Sequence, residues 1–494
     1  MIQTTIKKGL YYDSVKLMLV TNKVAEVDGV SSVAVVMGTD LNKDTLKRNG
    51  LLTDEAACAS KTDLIIGLKA DSEATIQKAL EVIDGELNKS VASDGDTALK
   101  PLSIETAVKN YPASNFCIIS VPGEYAAAEV QNALKEGLNV MLFSDNVSVQ
   151  DEIRLKEMAV KKDLLLMGPD CGTAHINGVP ICFSNVVTPG NIGIVAASGT
   201  GCQEVMTLID KFGGGLSQVI GTGGRDLSKD VKGIMTKYAL KLLQDDDKTR
   251  VITLISKPPA PEIVEDILEY INKNISKPLI INFIGGSGVS SDKIKFSCSL
   301  KEAAIAAVKA SGITYEDKPE TVPEVKNFYP ENVIGLYTGG TLAYEAYYEL
   351  KSVIPGLKSN LKDNLLEEEI EALADDLVLD LGDDRFTQGR AHPMIDPSFR
   401  NELFKMALAQ KKSTLILLDF VLGYGSNKEP QSTVIKLLSQ AAEKVEALVL
   451  ACICGTYKDP QDYNKVKKEL EEAGVIVFES NIDMLTQAKR LLKK

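Results

Sequence analysis

Long apolar runs are missing from this sequence. Nothing in its 494 residues approaches the roughly 20 consecutive apolar positions that a membrane helix requires. The opening MIQTTIKKGL lacks the charged-then-apolar pattern of an export signal. Paired cysteines are missing too. The eight present are scattered, several inside apolar runs such as Phe116-Cys117-Ile118, and read as reduced thiols of a cytoplasmic protein. Cys452 and Cys454 share one strand face, but no His or further Cys stands nearby, and no metal is expected. Positive charge is in deficit: 55 Lys and Arg against 68 Asp and Glu leave a formal charge of −13. That balance disfavours nucleic acid and anionic membrane as partners. Histidine is the scarcest chemistry-bearing residue, with two in all, His175 and His392.

What is present is an ordinary globular composition, 44% hydrophobic and 25% charged, in a chain long enough for about three or four domains. Apolar β runs alternate with amphipathic helical segments, the pattern of parallel sheets covered by helices. The expected architecture is α/β, with several doubly wound parallel-sheet domains: 1–98, 99–188, 189–326 and 327–494. The polar stretch Asn88–Leu102 serves as a linker, and Thr314–Phe328, rich in Glu, Pro and Lys, separates the last two units. Lys362–Asp376 is acidic and helical in pattern, and reads as a solvated insertion.

The last two units form a tandem repeat. Asn191-Ile-Gly-Ile-Val-Ala-Ala-Ser-Gly-Thr200 runs into a helix carrying Glu204, and Asn332-Val-Ile-Gly-Leu-Tyr-Thr-Gly-Gly-Thr341 into one carrying Glu345. Each then has a glycine–acid turn, Gly223-Gly224-Arg225-Asp226 and Asp380-Leu381-Gly382-Asp383-Asp384, and a further strand at Val251–Ile255 or Thr414–Leu418. Three anchors in one order make a chance match improbable. A Gly-Thr between strand and helix bares backbone N–H groups where the helix dipole favours an anion. Ser198, Gly199, Thr200 and Gly201 form one candidate phosphate cradle, and Thr338, Gly339, Gly340 and Thr341 the other, each equally readable as a plain helix cap. Arg225, Asp226 and Asp383 stand at the glycine–acid turns as further binding candidates. Lys257 ends a strand and offers an anion contact. Arg390 and His392, in the loop Gly389–Pro397, are candidates for an oxyanion contact and a proton transfer.

From Gly168-Pro-Asp-Cys-Gly172 through Ser198-Gly-Thr200 to Gly224-Arg-Asp226, the order of motifs resembles the α subunit of succinyl-CoA synthetase. Asn332 onward resembles the C-terminal domain of that enzyme's β subunit, which implies tandem flavodoxin-like units. The whole chain is similar to the FdrA family, long labelled acyl-CoA synthetases. The matches include Ile6-Lys-Lys-Gly9, Met37-Gly-Thr39, Val121-Pro-Gly-Glu-Tyr-Ala126, Phe143-Ser-Asp-Asn146, Ser256-Lys-Pro-Pro259, Leu336-Tyr-Thr-Gly-Gly-Thr341 and His392-Pro-Met-Ile-Asp-Pro397. Against that resemblance, working parts of a CoA ligase are missing. Lys8–Asp13 carries one glycine where a CoA-binding turn has several, and Gly285-Gly-Ser-Gly288 lacks the phosphohistidine. Lys257 stands where a glutamate would steady that histidine, and no nucleotide-grasping domain precedes Asn332. The resemblance implies one subunit of a hetero-oligomeric carbamoyltransferase of ureide breakdown, converting oxalurate and phosphate into oxamate and carbamoyl phosphate. Its ligands would be small anions, and no cofactor is expected. An acyl-CoA synthetase, with CoA and nucleotide, and a non-catalytic anion-binding scaffold are the alternatives.

Overall fold

The computed structural model describes residues 1–10, 12, 14–25, 27–48, 50–88, 101–318, 320, 323, 325, 328–387, 391–441 and 446–492. They divide into two compact units, Met1–Lys100 with Asp384–Ala391, and Pro101–Asp383 with His392–Lys494. Most of the expected linker, 89–100, lies outside the described residues, as do Gly389 and Arg390.

The first unit runs β1 (Ile2–Lys7), α1 (Ser14–Ala25), β2 (Val30–Met37), α2 (Asp40–Arg48), α3 (Asp54–Ala57), β3 (Leu64–Ala70) and α4 (Glu73–Asn88). Its sheet, ordered β1-β3-β2, is antiparallel where a parallel one was expected, because β3 returns between the two strands that α1 connects. Alternation along β3 decides which face each side chain serves. Leu64, Ile66 and Leu68 pack with Leu17, Val20, Ile76 and Ile83 of α1 and α4, while Ile65 meets Leu46, Leu51 and Ala56 on the other face.

The second unit opens with α5 (Ile104–Asn110), β4 (Phe116–Ile119), α6 (Gly123–Lys135), β5 (Asn139–Leu142), α7 (Val149–Lys161) and β6 (Leu166–Met167), whose strands form a parallel sheet β4-β5-β6. There follow β7 (Thr173–Ile176), β8 (Val179–Cys182), β9 (Pro189–Ala197), α8 (Gly199–Lys211), β10 (Leu216–Gly221), α9 (Ile234–Asp245), β11 (Val251–Ser256), α10 (Pro261–Asn274), β12 (Leu279–Phe283), β13 (Ile294–Phe296) and α11 (Leu300–Ala310). Their sheet is ordered β13-β12-β11-β9-β10-β7-β8. The hairpin β7–β8 pairs antiparallel onto β10, so this sheet draws on residues before the expected 188/189 boundary.

A second parallel sheet, β15-β14-β16-β17-β18, is made by the last stretch. It runs β14 (Asn332–Tyr337), α12 (Gly340–Lys351), α13 (Glu367–Ala372), β15 (Leu377–Asp380), α14 (Ser398–Leu408), β16 (Thr414–Val421), α15 (Ser432–Ala441), β17 (Ala447–Cys454), α16 (Tyr463–Glu472), β18 (Ile476–Phe478) and α17 (Asn481–Leu492). Within Lys362–Asp376 only Glu367–Ala372 is helical. β16, Thr414–Val421, is buried at every position, as a central parallel strand covered on both faces must be.

The two repeats share one core. Val205 and Ile209 of α8 meet Leu342, Ala343 and Ala346 of α12, with Ala303 of α11 and Met484 of α17 around them. From Thr200 to Ile209 every residue of α8 is buried, the mark of a helix enclosed on all sides. The fold therefore brings the beginnings of α8 and α12 to one junction.

Candidate functional site

At the carboxyl end of β9, Ser198 is extended (φ −170°, ψ 121°), and α8 begins at Gly199. At the end of β14, Gly339 plays the same part before Gly340. The two starts touch. Ser198 Oγ and Thr341 Oγ1 lie 2.8 Å apart, and the Thr341 N–H donates to Thr200 Oγ1 at 3.3 Å. A Cβ on Gly339 would come within 2.9 Å of the Thr200 side chain, so only glycine allows this approach. All eight residues of the two expected cradles thus meet at one place, with helix N-termini facing.

Their surroundings differ. Around α8, the first-turn N–H groups of Gly199, Thr200 and Gly201 have no hydrogen-bond partner among the described residues. Gly199 is exposed, and a Cβ there would meet nothing within 4 Å. Around α12, the Asp419 carboxylate already accepts the N–H groups of Thr338 (2.6 Å) and Gly339 (2.7 Å), and the Thr338 hydroxyl at 3.0 Å. The Asp380 carboxylate packs against Gly340. Two buried carboxylates therefore stand beside the second start, with Asp419 bound to the N–H groups that precede its first turn.

Lys257 joins this junction through strand register. β11 runs parallel to β9 with Ser256 opposite Ala197, so Lys257 emerges beside Ser198. Its ammonium lies 5.6 Å from the centre of the Tyr344 ring on α12. Burial works against its charge, but Asp380, Asp170, Tyr344 and Asp383 outweigh that and hold its pKa above the usual lysine value. Asp380 is pushed up to about 6 by burial, against the pull of Lys257. His392 packs beside Gly382, with its ring 6.0 Å from that of Phe183. Burial, then the Lys257 charge, lower it to about 4, so the imidazole is neutral at neutral pH. Its Nδ1 accepts the Met394 N–H at 3.2 Å, which places the ring proton on Nε2. His392 is thus a hydrogen-bond donor toward the junction.

Other expected residues are committed elsewhere. Asp226 faces the interior, 2.7 Å from Lys156 and accepting the Thr236 N–H at 2.7 Å and hydroxyl at 2.6 Å. Arg225 pairs with Glu152 at 2.9 Å and donates to the Val147 carbonyl at 2.8 Å. Glu152 also binds Lys156 at 2.7 Å, so this turn closes an ion network between α7 and α9. Asp383 belongs to the junction through Lys257, while Arg390 lies outside the described residues. Sequence reasoning passed over Asp419, whereas Asp380 and Asp170 stood in the quoted motifs Asp380–Asp384 and Gly168–Gly172 without a role of their own. A lone acid inside the apolar strand Thr414-Leu-Ile-Leu-Leu-Asp419-Phe-Val421 was the available signal for Asp419.

Over 511 aligned positions the chain is 39% identical to the uncharacterized protein YahF of Escherichia coli (strain K12), covering all of this chain and 99% of that protein. The chain belongs to the FdrA family. Three family profiles match along it: "AllF, heavy metal-associated domain" over 1–101, "CoA binding domain" over 187–284 and "CoA-ligase" over 336–491. This FdrA-family chain is also 27% identical over 239 residues to the succinate–CoA ligase [ADP-forming] subunit alpha 2 of Archaeoglobus fulgidus, spanning 45% of the chain and 79% of that protein. A dinucleotide-forming acetyl-coenzyme A synthetase 1 from Ca. Korarchaeum cryptofilum aligns at a TM-score of 0.34 and 14% identity, over 82% of this chain and 89% of that one. The family's fold is that of CoA ligases and CoA-binding proteins. Among the described residues no helix is long and apolar enough to cross a membrane.

Two of those profile names imply ligands. The heavy-metal name does not fit the donors present: residues 1–101 hold one cysteine, the exposed Cys58, and no histidine. The CoA-binding match falls on 187–284, so the turn to compare with such a domain is Ser198–Gly201, with two glycines, rather than Lys8–Asp13. That turn fits a phosphate group by its N–H groups, which have no hydrogen-bond partner among the described residues, and by the open space at Gly199.

Proposed function

We propose that this chain is the phosphate-holding subunit of a carbamoyltransferase acting on oxalurate, by direct transfer without a phosphohistidine. The observation that carries this reading is the meeting of the α8 start with Lys257 at one junction, in a chain whose Gly285-Gly-Ser-Gly288 turn lacks the phosphohistidine and whose His392 is poorly placed to replace it. In a phosphohistidine route the attacking nitrogen needs a free lone pair, whereas Nδ1 of His392 is engaged by the Met394 N–H and Nε2 bears the proton.

The α8 start, with Lys257 beside Ser198, would hold hydrogen phosphate. Asp380 and Asp383 suit the N–H groups of a ureido substrate better than a second anion. A phosphate oxygen attacks the ureido carbonyl carbon, the bond from that carbon to the inner nitrogen breaks, and oxamate leaves. The proton of the hydrogen phosphate ends on the departing nitrogen, and Asp380, with a pKa of about 6, is suited to carry it. The His392 Nε2–H would donate to the carbonyl oxygen as it gains charge. Helix start and lysine together supply positioning, which is most of what such a transfer needs. The AllF name of the matched N-terminal profile supports the link to ureide breakdown.

The test is to incubate the complete complex with oxalurate and phosphate and follow carbamoyl phosphate by phosphorus NMR. Formation without CoA or nucleotide is expected. Strict dependence on both would favour instead an acyl-CoA synthetase, the reading that the CoA-binding and CoA-ligase matches support equally. His392→Ala should lower kcat by about 100-fold, the scale of one lost oxyanion donor. His392→Gln, which keeps an N–H donor, should recover part of that. Equal and complete loss in both variants, with a trapped phosphohistidine in the wild type, would overturn direct transfer.

A further inference from the structure

Lys362 opens an acidic stretch of the chain, yet it does not pair with those acids. Its neighbour Lys358 does, meeting Glu369 at 3.1 Å and Asp375 at 2.8 Å. Lys362 forms no ion pair with a described residue. Its ammonium lies against two tyrosines of α12 instead, 5.7 Å from the centre of the Tyr344 ring and 5.5 Å from that of Tyr348. Those tyrosines stand four residues apart, on one face of the helix. Lys257 lies against the same Tyr344 ring, at 5.6 Å. Two ammonium groups therefore share one tyrosine.

The turn that carries Lys362 is anchored to the candidate site. Lys358 bridges to Leu377 of β15, and the Asn360 side chain bonds both backbone groups of Asp380, accepting the N–H at 2.9 Å and donating to the carbonyl at 3.0 Å. The fully buried Ser359 closes the turn. Its carbonyl accepts the N–H groups of Lys362 at 3.1 Å and Asp363 at 2.8 Å, and the Asp363 carboxylate accepts the Ser359 N–H at 2.9 Å. The start of the expected solvated insertion is thus tied to the strand that ends in Asp380.

Charge decides what Lys362 does there. Lys257 already has Asp380, Asp170 and Asp383 acting on it, so an anionic substrate meets more negative charge than that one lysine offsets. A substrate carboxylate needs a cation of its own, and a charge-assisted hydrogen bond to an ammonium is the strong form of that contact. We propose that Lys362 is a substrate-binding residue that receives the carboxylate of a small 2-oxo acid amide, while the transferred group of that substrate lies toward Lys257. The choice of ligand rests on the proposed function, since oxalurate and its product oxamate both carry such a carboxylate. The placement of Lys362 rests on its own contacts.

Calorimetric titration of the full chain should show oxamate binding at least tenfold tighter than oxamide, which has an amide in place of the carboxylate. Lys362→Met keeps an unbranched stem against the rings and removes the charge, and it should erase that preference. Lys362→Arg should keep it. The Lys362 residue is exposed, so both variants should hold the wild-type Tm. Wild-type affinity for oxamate no better than for oxamide, or an undiminished preference in Lys362→Met, would overturn the proposal. In the complete complex, Lys362→Met should raise the KM for oxalurate by about 10- to 100-fold, the scale of one lost charge-assisted hydrogen bond, and leave the KM for phosphate unmoved. An equal rise in both constants counts against a contact with the substrate carboxylate. Absence of carbamoyl phosphate formation, alongside a preference for oxamate that depends on Lys362, would sink the reaction and leave this binding site standing.

Discussion

Two glutamates sit in the interior of the repeat junction with little to balance their charge. Glu204 on α8 accepts the Asn481 N–H at 3.0 Å, and Glu345 on α12 accepts the Asn481 side-chain amide at 2.9 Å and the Leu300 N–H at 3.0 Å. Burial pushes each up to about 7, with Lys211 opposing this at Glu204 and Glu204 reinforcing it at Glu345. An acid whose folded pKa lies above its unfolded value binds its proton more tightly when folded. Folding is therefore penalised once pH exceeds the unfolded value of 4.5, and the penalty grows until about pH 7. At one pKa unit per 1.36 kcal/mol, each group can cost on the order of a few kcal/mol at most. Stability should accordingly fall as pH rises from about 4.5 to 7, and Glu204→Gln should flatten that slope and raise the Tm at pH 8. A variant with the wild-type slope would show that Glu204 is ionised throughout. The glutamates were visible in the sequence as repeat partners, but their environment was not. Neither residue has a charged neighbour in sequence that explains it, and Asn481 is 277 positions from Glu204.

Helices α8 and α12 are pinned tip to tip, and that contact has a narrow tolerance. Gly339 must leave room for Thr200, so Gly339→Ala would push one helix start away from the other. Overpacking of this kind costs about 1–3 kcal/mol, which denaturant unfolding would read directly. Wild-type stability in the variant would mean that the starts are free to separate. The elements themselves were legible. Gly199 and Gly340 open helices after parallel strands as their motifs foretell, because glycine followed by a hydroxyl residue suits that turn. What sequence could not show was commitment of side chains. Arg225 and Asp226 of the Gly223–Asp226 turn were expected to bind the ligand. Asp226 is instead drawn inward by Lys156, and the lysine lies 70 positions away on another helix. His392 was expected to move a proton, a role that requires knowing which nitrogen meets the Met394 N–H.

At the level of the whole molecule, the parallel pairing among β9–β13 and among β14–β18 followed from the strand–helix alternation, while the antiparallel β7–β8 hairpin and the antiparallel N-terminal sheet did not. Alternation records that strands and helices take turns, but it does not record which strand inserts between two others, as β3 does. That N-terminal domain also carries the clearest conflict between name and chemistry. It matches a heavy metal-associated profile over 1–101, yet Cys58 is its one soft ligand of the thiol type, and it has no imidazole. Tight Zn²⁺ or Cu⁺ sites draw three or four thiolate or imidazole donors into one shell, which one exposed thiol cannot supply. The domain fills its interior with apolar side chains on both sheet faces instead, so its stability needs no metal cross-link. The full chain titrated with Zn²⁺ or Cu⁺ against a chromophoric chelator should therefore leave the metal with the chelator, and Cys58→Ser should change nothing. One tightly held equivalent per chain, or half an equivalent lost in Cys58→Ser, would reveal a site completed by other residues or shared between two copies.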